Sequence, residues 1–298
     1  MRLACPAKVN LSLEVLGRRA DGYHDLRSVM VPISLADELE VRLAPAPGIR
    51  VAVDGADLPC GPDNLVHRAA ARFLETLRGP GALDRAPGVD IRLVKRIPVG
   101  AGLGGGSSDA AGTLLALDRL LDARLGEAGL AAIGLELGAD VPFFVHGRPA
   151  LATGIGERLA PLDGLPTLWL VLVNPGFQVS TAWVFREFAA AAASGARLTP
   201  PGSQSTIDRF LQGSALAGVE FRNDLESVTL RAYPVLEALK GELSASGAVA
   251  TLMSGSGPTV FGIFLDEPAA RAAEGRLRTS AGRRVFLAHS TTRGPHPM

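Results

Sequence analysis

Lysine is almost missing from this chain: of its 30 basic residues, only Lys8, Lys95 and Lys240 are not arginine. A lysine kept against that background is notable, because a compact ammonium on a flexible stem is not interchangeable with a planar guanidinium. Cysteine is scarcer still. Cys5 and Cys60 stand alone, without Cys-x-x-Cys or Cys/His spacing, so a zinc site and a disulfide framework are excluded and both read as free thiols. Net charge is absent too, since 30 acidic residues balance the basic ones. No bulk field exists to hold nucleic acid or an anionic membrane, and an anionic ligand must be bound locally. Charges interrupt every apolar run before it could span a bilayer. The start, Met1 to Lys8, lacks the layout of a secretory signal. The expectation is a cytoplasmic protein without nucleic-acid or membrane partners, monomeric or a weak homodimer.

What is present is 298 residues, 47% of them hydrophobic, which is long for one core and suits two lobes. A Gly- and Pro-rich stretch over 154–166 places the boundary, giving lobes 1–158 and 159–298. Strict alternation over 9–15 predicts a half-buried strand with Val9, Leu11, Leu13 and Val15 toward the core. Lys8, Asn10 and Ser12 then share the other face. Further strands are expected over 26–35 and 39–43, then a helix over 64–77 with Asp63 as its cap and Gly79-Pro80-Gly81 as its stop. A strand over 89–97 and helices over 109–121 and 127–137 complete the first lobe. The second reads as a strand over 168–173, helices over 181–193, 207–211 and 223–239, strands over 249–253 and 260–264, a helix over 267–278 and a strand over 284–288. With the extra helices set aside, that order is β-α-β-β-α-β, a ferredoxin-like arrangement. Residues 189–218 are low in complexity and are expected to be mobile.

The strongest local feature is Pro98-Val99-Gly100-Ala101-Gly102-Leu103-Gly104-Gly105-Gly106-Ser107-Ser108, with five glycines in seven positions between a predicted strand and helix. Glycine lets backbone approach a ligand closely, and the free N–H groups of a helix start attract phosphate. Ser107 and Ser108 add hydroxyls where phosphate oxygens or Mg²⁺ would lie. A flexible linker is a poor alternative between two regular elements. Gly100, Gly102 and Gly105 also satisfy G-x-G-x-x-G, but the preceding strand is charged, and Asp118 and Asp122 belong to a helix or its end, which counts against a dinucleotide fold. No lysine follows the glycines, so a P-loop is excluded.

Taken with Pro6-Ala7-Lys8-Val9-Asn10-Leu11, Arg19-Ala20-Asp21-Gly22-Tyr23-His24, Leu137-Gly138-Ala139-Asp140-Val141-Pro142 and Ser254-Gly255-Ser256-Gly257-Pro258-Thr259, this loop resembles the GHMP kinases. The four further motifs look like the branch acting on 4-diphosphocytidyl-2-C-methyl-D-erythritol. The resemblance implies a two-lobed α/β (α+β) fold, with a ribosomal S5-like N-terminal lobe and a ferredoxin-like C-terminal lobe. It also implies ATP and Mg²⁺ as cofactors, a small-molecule substrate with a CDP moiety, and phosphoryl transfer to that substrate's 2-hydroxyl in the non-mevalonate route to isoprenoids.

Carried over by position, Lys8 and Asp140 are the catalytic pair and Asn10 positions the acceptor hydroxyl. Tyr23 and His24 read cytosine, with Phe185 as a second stacking face. Asn64 and Leu65 sit at the adenine side, residues 98–108 hold the ATP phosphates, and Ser254, Gly255, Ser256 and Gly257 line the substrate phosphates. Each has a plainer reading. Asp140 could cap a short helix, Lys8 could be a solvated strand lysine, Tyr23 and His24 an exposed loop, Phe185 helix core, and Asp63 to Leu65 a helix start. Lys95 and Lys240 read as structural. The helix after the loop offers Asp109 and Asp118 but no Glu for Mg²⁺, so the metal ligands are left unassigned. Another GHMP kinase acting on homoserine or a mevalonate, a nicotinamide-dependent oxidoreductase and an RNA-binding module remain as alternatives.

Overall fold

The computed structural model describes residues 1–78, 87–193, 221–278 and 282–298. The helix expected over 207–211, most of the low-complexity tract and the Gly79-Pro80-Gly81 stop lie outside the described residues. The first part of the chain runs β1 (Arg2–Arg18), β2 (His24–Ala44), β3 (Ile49–Asp54), α1 (Leu65–Arg78), β4 (Gly88–Val94), α2 (Gly105–Leu120), α3 (Gly126–Leu137), α4 (Val141–His146), β5 (Ala150–Gly154) and β6 (Arg158–Pro161). The second runs β7 (Trp169–Asn174), α5 (Thr181–Ala193), β8 (Arg222–Asn223), α6 (Glu226–Ala232), α7 (Val235–Ala245), β9 (Ala250–Met253), β10 (Val260–Phe264), α8 (Glu267–Leu277), β11 (Arg284–His289) and β12 (His296–Pro297).

One sheet has the order β12-β1-β2-β4-β3, with β5 and β8 joined to β2 and β1 and β6 to β5. The other, β11-β7-β10-β9, is antiparallel throughout, the expected ferredoxin-like order. Because β4 lies antiparallel to β2 and parallel only to β3, the glycine loop that follows it does not leave an open parallel sheet. That removes the context a dinucleotide fingerprint needs.

Several predicted boundaries move, each for a local reason. The strands expected over 26–35 and 39–43 are one strand, β2, because β1 pairs along it continuously and absorbs the irregularity as a register shift at Pro6/Ala7. Burial is not one-sided either. Val9 and Leu11 pack in one cluster with Leu170, Leu172, Phe261 and Ile263 of the second sheet, while Leu3 and Cys5 join the cluster under α1 and α2. Each such side chain contributes about 1.5–3 kcal/mol on burial, so β1 fastens the two sheets together.

A second shift falls between Asn10 and Ser12, where Leu11 is the extra residue of a bulge. A bulge moves the alternation by one. Lys8 and Asn10 therefore face the central cavity as expected, but Leu13 joins them there and Ser12 does not. Among the helices, α1 is capped by Asn64 rather than Asp63, since Asn64 Oδ1 accepts from Val66 N at 3.0 Å. The helix expected over 109–121 begins four residues earlier, inside the glycine run. The helix expected over 223–239 is two, α6 and α7, divided at Tyr233-Pro234: Tyr233 is extended (φ −129, ψ 76), as a residue before proline tends to be. Among the described residues, no helix is long and apolar enough to cross a membrane.

Candidate active site

A cavity of about 1290 Å³ is lined by the first sheet, the glycine loop and start of α2, helix α5, and the loop after β9. On one wall β1 presents Lys8. Its ammonium is buried and donates to Asn10 Oδ1 at 2.6 Å, Asn10 Nδ2 donates to Ser28 Oγ at 2.8 Å, and Ser28 Oγ donates to the Ser12 carbonyl at 2.6 Å. This relay fixes which way the Asn10 amide points. Burial pushes the Lys8 pKa down from its ordinary value, and the Asp140 carboxylate draws it part of the way back.

Asp140 Oδ2 lies 3.8 Å from Lys8 Nζ, with the Asp140 side chain 37% exposed toward the cavity. It occupies the N-cap position of α4, yet its carboxylate caps no backbone N–H there. The helix-cap reading of Asp140 thus loses its interaction. An accessible carboxylate beside an ammonium is placed to accept a proton from an acceptor hydroxyl in the cavity.

Beside Lys8 runs the glycine loop, tied to it by the Lys8 N–H donating to the Leu103 carbonyl at 2.9 Å. Gly100, Gly102 and Gly104 have φ of 64, 75 and 69, left-handed values that side chains resist. Gly102 also has no room for a side chain, because a Cβ there would fall 2.1 Å from the Ser254 carbonyl oxygen. The first turn of α2 has no acidic residue and no side-chain cap. Its leading N–H groups therefore remain available, the arrangement that binds phosphate. Of the two serines, Ser107 lines the cavity, whereas Ser108 is fully buried and its hydroxyl has no partner among the described residues.

The second glycine loop meets the first directly. Ser254 Oγ donates to the Gly102 carbonyl at 2.9 Å, and Asn223 Nδ2 holds the Met253 and Gly255 carbonyls at 2.8 and 2.7 Å. Gly255 and Ser256 reach the cavity; Ser254 and Gly257 do not line it and serve the loop's own packing. Ser256 Oγ is paired at 2.8 Å with Thr181 Oγ1, a cavity residue at the start of α5 that sequence reasoning missed.

At one end of the cavity His24 stacks on Phe185, ring centroids 5.3 Å apart and 27° between planes. The expected Tyr23–Phe185 sandwich is thus not the arrangement here: Tyr23 is 60% exposed at the rim, and His24 covers Phe185. Burial, and then Arg18, hold the His24 pKa below its usual value. Asn64 and Leu65 line the cavity elsewhere, with the Asn64 side chain spent on the α1 cap and on the Pro59 carbonyl at 2.7 Å.

The largest feature not anticipated is a buried ion cluster. Lys95 Nζ pairs with Asp37 and, at 2.7 Å, with Asp109 on α2, below the glycine loop. Burial, with Asp37 adding to it against the pull of Lys95, pushes the Asp109 carboxyl up to about 8. For Lys95, burial works against the charge but the two carboxylates outweigh it and raise the pKa. The scarcity of lysine was the one signal for this residue, which also lines the cavity. Lys240 is structural as expected, tying α7 to Glu226 of α6 at 2.7 Å.

Comparison with known proteins identifies the family. The GHMP kinases N terminal domain matches residues 64–148, and the GHMP kinases C terminal domain matches 203–283. The 4-diphosphocytidyl-2-C-methyl-D-erythritol kinase of Geobacter sulfurreducens is 50% identical over 275 residues, covering 92% of this chain and 94% of that protein. The chain belongs to the GHMP kinases. Within the family, the kinase of the same description from Pelotomaculum thermopropionicum is 47% identical over 273 residues, 91% of this chain and 92% of that one. A solved 4-(cytidine 5'-diphospho)-2C-methyl-D-erythritol kinase superposes with a TM-score of 0.80 at 40% identity, over 97% of this GHMP kinase and 99% of that chain. Homoserine kinase from Cytophaga hutchinsonii shares the fold, with a TM-score of 0.72 at 20% identity over 99% and 96% of the two chains.

Proposed function

We propose that the chain transfers the γ-phosphoryl group of ATP to the 2-hydroxyl of 4-diphosphocytidyl-2-C-methyl-D-erythritol, giving the 2-phosphate and ADP in the non-mevalonate route to isoprenoids. The observation that carries the chemistry is the facing of Lys8 and Asp140 in the cavity that the uncapped start of α2 also lines. The choice of acceptor rests on relatives of that description at 50% and 47% identity.

In this reading the N–H groups of the glycine loop and of the first turn of α2 take the ATP phosphates, from the lobe of residues 1–158. The second glycine loop, from residues 159–298, approaches the acceptor. Asn10, held by Ser28, orients the 2-hydroxyl. Asp140 accepts the hydroxyl proton as the oxygen bonds to the γ-phosphorus and the bond to the departing ADP oxygen breaks. Lys8 offsets charge on the reacting oxygens. His24 and Tyr23 recognise the cytosine, with Phe185 behind His24. The enzyme is read as a cytoplasmic monomer or weak homodimer.

Mg²⁺ enters with the nucleotide. Among the described residues no group of three or more His, Cys, Asp or Glu could hold a metal, and one Asp109 carboxyl oxygen, Oδ2, is taken by Lys95. The described residues thus offer no resident cage. Phosphate oxygens and waters suffice for an ion that dehydrates reluctantly, and no step is assigned to it.

A coupled assay for ADP release tests the proposal with ATP and each of three acceptors: 4-diphosphocytidyl-2-C-methyl-D-erythritol, homoserine and mevalonate. Turnover of the first alone is expected. Preferential turnover of either other acceptor, or thermal stabilisation by NAD but not by ATP, would overturn it.

A further inference from the structure

The last stretch of chain is bonded to elements far from it in sequence. Thr291 N donates to the Pro32 carbonyl at 2.8 Å, Ser290 bridges Ile33, and β12 pairs with Leu3 and Ala4 of β1. Pro295 packs beside α2: a Cβ on Gly112 would come within 3.5 Å of it. Gly294 is buried against the end of α4. A Cβ on Gly294 would lie 2.5 Å from the Phe144 carbonyl oxygen and 2.6 Å from Gly147 Cα, and both are backbone atoms that cannot rotate aside. Gly294 does not have a left-handed φ, so only space requires glycine there. His296 Nδ1 lies 2.8 Å from the Gly294 carbonyl and steadies the turn that presents it.

These contacts reach each of the three elements that carry the proposed machinery: β1 with Lys8, α2 with the glycine loop, and α4 with Asp140. Of the three, α4 is the shortest, and it is held by packing on α2 and α3. It has six residues, too few to be stable alone, and no side-chain cap at its first turn. Its Phe144 ring also sits below the phosphate loop, since a Cβ on Gly104 would come within 2.9 Å of it. So short a helix moves as a body, and a displacement at Gly147 is delivered to Asp140 at the other end.

We propose that residues 290–298 form a clasp that ties α4 to β1 and α2, with Gly294 as a positioning residue for the Asp140 carboxylate. This rests on the phosphotransfer reading above. A misplacement on the order of 1 Å in a reacting group can cost about 10²-fold in rate. Asp140 acts on the acceptor, and the phosphate loop is separately held by Ser254. The effect therefore falls on turnover more than on ATP binding.

Gly294→Ala tests the clasp. Its kcat is expected to fall at least about tenfold, with the KM for ATP within about threefold of wild type. A folded variant with kcat within about twofold of wild type, or one losing only thermal stability, overturns the proposal. Should Gly294→Ala not fold, His296→Ala decides, because it removes the contact to the Gly294 carbonyl without adding atoms. Lowered kcat at unchanged KM for ATP supports the clasp, and unchanged kcat overturns it. Wild-type turnover in the same assay reads the phosphotransfer proposal by itself. If the wild type fails, a crystal structure of Gly294→Ala still decides the clasp, since a Lys8–Asp140 separation unchanged from wild type overturns it whatever the acceptor.

Discussion

Asp140 stands at the head of a helix it does not cap and instead faces Lys8, 3.8 Å away. Asp140→Asn should therefore leave helix stability and nucleotide affinity nearly unchanged while turnover falls by about 10²- to 10⁴-fold, the usual worth of a general base. Steady-state kinetics beside ATP-analogue calorimetry check this. Near-normal turnover would reduce Asp140 to a bystander.

Lys8 gives a pH signature. Burial lowers its pKa and Asp140 only partly restores it, so its proton is lost at a lower pH than an ordinary lysine's. The alkaline limb of kcat should accordingly lie below the usual lysine range. In Asp140→Asn, which withdraws the supporting charge, the residual activity should decline at a lower pH still. An alkaline limb unmoved by that substitution would count against the pairing.

Two glycines of the proposed phosphate loop should behave oppositely. Gly102→Ala meets the Ser254 carbonyl and a left-handed backbone, which by itself costs about 1–2 kcal/mol, so its melting temperature should drop. A Cβ on Gly106 meets only Leu65 at 3.8 Å. Gly106→Ala should fold at least as stably, gaining up to about 1 kcal/mol as a helix residue, and yet weaken ATP because its methyl enters the cavity. Equal ATP affinity in Gly106→Ala and wild type would place the phosphates elsewhere.

Tyr23 and His24 can be separated by their exposure. Tyr23, at the rim, should on replacement by alanine lose affinity for CDP with no change in melting temperature or ATP affinity. His24→Ala, which removes a buried ring stacked on Phe185, should lower both CDP affinity and stability. Thermal melts with CDP and with ATP distinguish the two.

Asp109 predicts how stability follows pH. Its folded pKa of about 8 stands above the ordinary carboxylate value. The folded state thus retains a proton that the unfolded chain releases, and the associated stability is complete below about pH 4 and is lost as pH rises toward 8. Asp109→Asn cannot ionise, so its melting temperature relative to wild type should improve steadily between pH 5 and 8.5. A constant difference across that range would show that Asp109 is ionised throughout.

Much of this site was legible because its signals are local. Alternation placed Lys8 and Asn10 on one face, and the glycine run between strand and helix marked a loop that lines the same cavity. What stayed hidden depends on long-range pairing. The bulge at Leu11 that turns Ser12 away and brings Leu13 in is set by the register against β2. The Asp37–Lys95–Asp109 cluster joins three segments that no spacing rule connects. His24 rather than Tyr23 covers Phe185 because of where α5 docks, which its own sequence does not encode. The split at Pro234, by contrast, could have been read from the proline alone.

The hydrogen bond from Ser254 to the Gly102 carbonyl bears on how such an enzyme can be recombined. Because each glycine loop completes the other's surface, a chimera that exchanged one half of the gene for a distant homologue's would mismatch this seam even if both halves folded. Successful crossovers should be those that carry the two loops over together, so that they are inherited as one unit despite their distance along the chain.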